Sequence, residues 1–133
     1  MDLNKYFTAN RGIGILSTAD GVGKVDAAIY ARPHVLEDGT VAMIMRDRLT
    51  RKNLQENPHA AYLFIEQAAG YQGVRLFLKK IREDDDAELI QGMTRRTLTA
   101  EEDRAKGPKF IVYFAVEKIL PLIGDGTPAE ETD

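Results

Sequence analysis

The chain has no cysteine and no tryptophan, and only two of its 133 residues are histidine. Without cysteine there is no disulfide framework and no thiolate metal site. His34 and His59 leave little for a metal centre, so no metal site is assigned. No apolar run approaches the length that crosses a membrane. The opening Met-Asp-Leu-Asn-Lys-Tyr-Phe lacks a signal-peptide pattern, so a cytoplasmic location away from membranes is the expectation. Excess positive charge is lacking too. Eighteen Lys and Arg against 21 Asp and Glu give a net charge of −3, which argues against general nucleic-acid binding. What remains is an ordinary globular composition, 44% hydrophobic and 29% charged, of a length that suits one domain.

Apolar periodicity divides the chain into short strands. Residues 2–11 read as a short helix or lead-in, with Leu3, Tyr6 and Phe7 on one side. Gly12–Ala19 is a first strand, and Ala19–Lys24 is a turn. Val25–Val35 is a second strand that Pro33 bends or places at an edge. Thr40–Met45 is almost wholly apolar and reads as a strand buried on both faces. Thr50 is expected to cap a helix over Arg51–Asn57 that Pro58 stops. His59–Glu66 and Val74–Arg82 are further strands around a glycine-containing loop, 67–73. Asp84–Thr97 has helical spacing and acids at its start, which suits the helix dipole. Lys109–Leu122 is a long last strand, and residues 124–133 form an acidic Gly/Pro-rich tail expected to be disordered. Domain 1–123 is thus mainly β, and the close strand spacing argues for a small antiparallel barrel rather than βαβ units.

The most informative stretch is Met45–Leu54, which holds Arg46, Arg48, Thr50, Arg51 and Lys52 between a strand and a helix. Helix starts carry unpaired N–H groups and partial positive charge, and so attract anions. Cations there oppose the dipole unless an anion is bound. The plain alternative is a solvated loop and first helical turn. Other motifs are weaker. Gly21-Val22-Gly23-Lys24 lacks phosphate-loop spacing and a following Ser or Thr, so it reads as a hairpin turn. Asp84-Asp85-Asp86 reads as a solvated helix start.

Three features in order carry a resemblance. Strands Asp26–Leu36 and Thr40–Met45 flank an Asp38-Gly39 turn. Thr50-Arg51-Lys52 opens a helix. Asn57-Pro58-His59-Ala60 leads into the next strand. From about Gly12 to Arg82 the chain resembles the FMN-binding split barrel of the pyridoxamine 5′-phosphate oxidase-like superfamily, a Greek-key-like fold, and in length it resembles the superfamily's small bacterial FMN-binding proteins.

The resemblance implies an FMN site. Thr50, Arg51 and Lys52 would hold the phosphate, with Met45 and Arg46 nearby. Ala27, Ala28, Ile29 and Tyr30 would run along the ring, and Gln72 (or Arg75) would reach the flavin. It also implies a homodimer with cofactor sites at the interface, and a small-molecule reductant or acceptor that the sequence does not name. The implied activity is that of a flavin-dependent oxidoreductase or flavin reductase. The alternatives are a non-enzymatic FMN carrier or electron-transfer protein, and a binder of haem or a deazaflavin. The chain lacks the C-terminal Arg-containing substrate motif of the true pyridoxamine phosphate oxidases, so pyridoxamine phosphate is not the expected substrate.

Overall fold

In the computed structural model, which describes residues 1–94 and 98–126, seven strands form one antiparallel sheet in the order β2-β1-β5-β6-β7-β4-β3. The strands are β1 (Gly12–Ala19), β2 (Val25–Ile29), β3 (His34–Val35), β4 (Val41–Arg46), β5 (His59–Glu66), β6 (Gly73–Asp84) and β7 (Lys109–Pro121). Four helices accompany them: α1 (Leu3–Ala9), α2 (Leu49–Glu56), α3 (Ala87–Met93) and α4 (Ala100–Ala105).

The sheet curls because one face of nearly every strand is apolar and those faces meet. Leu16 of β1, Tyr62 and Phe64 of β5, Leu76 and Leu78 of β6, Val112 and Phe114 of β7, and Met43 and Met45 of β4 pack in one buried cluster. Helix α1 plugs this barrel with Leu3, Tyr6 and Phe7. Phe7 meets Phe64 and Tyr62 edge-on, at centroid distances of 5.3 and 6.2 Å. Bulges at Phe77/Leu78 and Lys80/Arg82 bend the long β6–β7 pair.

The strand expected to be buried on both faces is so. On its other side β4 gives Ala42 to a second cluster with Ile111, Tyr113 and Ile90 of α3. The outer face of β4–β7 is therefore covered by helix.

Turns follow their residues. Asp20 accepts from the N–H groups of Val22 and Lys24, and Gly23 takes φ 90°. Asp38 accepts from both N–H and hydroxyl of Thr40 to close β3–β4. The expected second strand, Val25–Val35, is two strands with a break at residues 30–33, where Pro33 removes a ladder donor. The Tyr62 hydroxyl fills that break by donating to the carbonyl of Ala31 at 3.0 Å, with that of Tyr30 at 3.2 Å. Gly14 makes the reach possible, since a Cβ there would lie 1.8 Å from the same hydroxyl.

Three expected boundaries shift. Thr50 does not cap α2: Arg48 takes the extended cap position without a side-chain bond, and Thr50 lies buried in the first turn. Strand β6 runs on to Asp84, so α3 starts only after Asp86, which caps it by accepting from Leu89 N–H. The expected end of that helix, 95–97, lies outside the described residues, as does most of the expected disordered tail, 127–133. Helix α4 was not expected, although Thr99 and Glu102 spell its capping box.

Replacing Tyr62 by Phe removes the hydroxyl that satisfies the break. We expect a loss of about 1–2 kcal/mol of stability, read as a lower urea midpoint with unchanged slope.

Candidate functional site

A cavity of about 690 Å³ opens where β2, the end of β4 and the start of α2 meet. Its lining includes apolar side chains, Ala28, Ile29, Met43, Ile44, Met45 and Met93 among them, and a set of cations. Arg32, Arg46, Arg48, Lys106 and Lys109 line it, against one acid, Asp26, in a chain whose net charge is −3. Positive charge thus gathers at one place in an acidic protein.

Local structure explains how the helix arrives there. The Asn53 amide donates to Thr18 Oγ1 at 3.1 Å, and both are buried, which ties α2 to β1. No side chain caps α2, so its first-turn N–H groups keep their positive partial charge beside the cavity. The Thr50 hydroxyl and the Tyr30 phenol line the cavity together. Burial raises the Tyr30 pKa, the Thr50 hydroxyl opposes this, and the Asp26 carboxylate adds to the rise. The phenol therefore stays a neutral donor across the physiological range.

Of the residues proposed from sequence, Ala28, Ile29, Tyr30, Met45, Arg46 and Thr50 line this cavity. Ala27, Arg51, Lys52 and Gln72 do not. Ala27 lies on the exposed face of β2 that it shares with Val25 and Ile29, and of these three only Ile29 reaches the cavity. Gln72 is exposed in the turn before β6, and Lys52 is exposed on α2.

Arg51 has partners of its own. It donates to Glu83 at 2.5 Å and to Asp47 at 2.9 Å, and its guanidinium lies 3.6 Å from the Phe110 ring centroid. An arginine so paired locks α2 to β6 and β7 instead of facing the cavity. The Arg51 hydrogen bond holds the Glu83 carboxyl below its usual range; burial opposes this and Lys80 assists it.

Sequence reasoning missed Lys106, Lys109 and the acid that pairs with Arg46. The register sets Arg46 of β4 directly opposite Lys109 of β7. Asp103 of α4 lies between them, 2.8 Å from each. Arg46 also donates to the Asp103 and Gly107 carbonyls, at 3.0 and 2.6 Å. The Asp103 carboxyl is held below its usual range, by Lys109 first and Arg46 second. The missing signal was non-local: Arg46 and Lys109 look unrelated until β4 pairs with β7.

No protein-family model matches the sequence, and no curated protein matches it. Solved structures do match. The chain is similar to an FMN-binding protein from Syntrophomonas wolfei, with a TM-score of 0.66 and 19% identity over 91% of this chain and 84% of that one. It is also similar to a pyridoxamine 5′-phosphate oxidase-like protein from Lactobacillus delbrueckii, with a TM-score of 0.64 and 13% identity over 90% and 92%. The fold is that of the pyridoxamine 5′-phosphate oxidase-like split barrels. A third split barrel of similar structure is HutZ, the heme storage protein from Vibrio cholerae, with a TM-score of 0.64 and 16% identity over 88% and 90%. No helix among the described residues is long and apolar enough to cross a membrane.

The Glu83 pair gives a pH test. A carboxyl whose folded pKa is lowered stabilises fully above its unfolded value of 4.5, and that stability is lost as pH falls through the folded value. Glu83→Gln should lower the melting temperature at neutral pH. The gap from the unaltered protein should shrink as pH drops below 4.5. A gap that stays constant into acid would contradict this pairing.

Proposed function

We propose that this chain is an FMN-binding flavoprotein and a flavin-dependent oxidoreductase. The single observation that carries the reading is the cavity itself, which joins apolar side chains of β2 and β4 to cations at the end of β4, the start of β7, just before α2 and just after α4. A flavin mononucleotide has the same two parts, a flat ring and a phosphate. The volume of about 690 Å³ falls within the usual range for ligand sites.

The residues present fit the group. Ala28 and Ile29 offer a shallow wall and strand backbone for a ring, and Met43 and Met45 are adaptable neighbours. Arg46, Arg48, Lys106 and Lys109 supply charge for a phosphate, and the start of α2 adds backbone donors. The Tyr30 phenol offers one hydrogen bond from inside the cavity, beside Thr50. When bound, the flavin supplies the hydride and electron chemistry. The chain's part is to hold and orient it and to keep water from one side of the ring.

A second copy of the chain fits the same reading. Val25, Ala27 and Ile29 pair with Ala19, Ser17 and Ile15 of β1, and Ser17 and Ile15 pair in turn with Ala61 and Leu63 of β5. Among the described residues Val25 and Ile29 on this outer face are about four-fifths exposed, at 83% and 78%. Such contiguous apolar surface marks an association site. Because Ile29 also lines the cavity, a partner there would cover part of its rim.

The second reading is a haem or deazaflavin binder. His34 beside the cations of the cavity favours it, and HutZ, of similar fold, is a heme storage protein.

The purified protein should show flavin absorbance bands or acquire them on adding FMN. Reduction of the bound flavin by NADH or NADPH, followed anaerobically, separates an oxidoreductase from a carrier. Arg48→Ala should weaken FMN binding by about tenfold, as expected for one charge-assisted contact. Haemin bound in preference to FMN would favour the second reading. For the association, Ile15→Asp should sediment at the monomer mass while the unaltered protein sediments at twice that. A monomer in both cases would end the proposal of a paired site.

A further inference from the structure

The cation pair at the end of β4 raises a question that the fold alone does not answer. Like charges placed directly opposite on neighbouring strands repel each other. Arg46 and Lys109 hold that arrangement because an acid sits between them. The acid comes from α4, a helix of six residues with no buried side chain. No residue of α4 belongs to either apolar cluster. Its described links to β4 and β7 are polar: the Asp103 carboxylate, and the backbone carbonyls of Asp103 and Gly107 that receive Arg46. Arg48 reaches the carbonyl of Lys106 at 3.3 Å, a marginal contact. The Asp103 side chain is 44% exposed, so water and solutes reach it.

We propose that Arg46 and Lys109 are the principal anion-holding pair of the cavity. Asp103 is their resident counter-ion, and the phosphate of an incoming ligand displaces it. The ligand class is a molecule with a terminal phosphate; for FMN the inference rests on the flavin reading above. A phosphate offers more charge and more acceptor oxygens than one carboxylate, so it can engage both cations and add Arg48 and Lys106 at the rim. Helix α4 can yield because moving it exposes no apolar core. Arg51 cannot serve in the same way, since Glu83 and Phe110 already hold it.

The test compares the full-length protein with Asp103→Asn and Asp103→Ala. FMN, riboflavin and inorganic phosphate are titrated separately, flavins by fluorescence quenching and phosphate by calorimetry. Removing the competing carboxylate should tighten FMN and inorganic phosphate by about tenfold, one charged contact's worth, and leave riboflavin unchanged. Adding Arg46→Ala or Lys109→Ala to Asp103→Asn should abolish the gain. Thermal melts of both variants check that the barrel persists. Phosphate tightening without FMN binding would support the anion pair and sink the flavin reading. FMN binding that is equal or weaker in both Asp103 variants would overturn the inference and leave the flavin reading standing. No binding of any of the three ligands to any variant would overturn both.

Discussion

The β4–β7 register is the constraint on which the rest of the structure depends. It pairs six residues of β4, Val41 to Arg46, with six of β7. Side chains alternate along a strand, so this one register sends Met43 and Met45 into the barrel and Ala42 toward α3. It also ends by setting Arg46 against Lys109. A slip of one residue would exchange the two cores and separate the cations from the cavity. The two apolar cores, the seat of α3 and the charge of the cavity are thus outcomes of a single alignment.

The cavity shows how one chain divides its cations. Those on α2 and β4 lie close in sequence, yet they do different things. Arg51 is turned to Glu83 and Phe110, where it binds helix to sheet. Arg46 and Arg48 stay at the cavity. The deciding factor is the acid within reach. Glu83 comes from the extended end of β6, and Asp103 comes from α4. An acid on a sheet strand makes a permanent tie, whereas an acid on a helix without a buried side makes a tie that can be exchanged.

Much of this was legible in the sequence. Apolar alternation located the first strand and the β5 strand at their observed bounds, and the apolar run at β4 read correctly as covered on both sides. Asp38-Gly39 and Asp20–Lys24 announced their turns through local chemistry. Six of the ten candidate site residues line one cavity. The remainder depended on partners distant in the chain. Arg51 meets Glu83 only across 32 residues, and Arg46 meets Asp103 only across 57. Thr50 looked like a cap because its residue type favours that position, but the helix starts at Leu49 and leaves Thr50 buried in its first turn. Helix α4 is different, because its capping box was local and readable. Its lack of an apolar stripe hid it from a reading based on periodicity.

Helix α4 has a further consequence for how such a protein can change over time. Most positions that shape a binding cavity also hold up a core, so altering them risks the fold. Here the acid that pairs with two cavity cations, Asp103, sits on a helix that gives no residue to the core. Substitutions along it carry little folding penalty, while they alter the charge and the outline presented to a ligand. Selection on ligand preference can therefore act on α4 almost independently of selection on stability. A lineage built on this barrel could pass from one anionic ligand to another through that helix, with its seven strands left untouched.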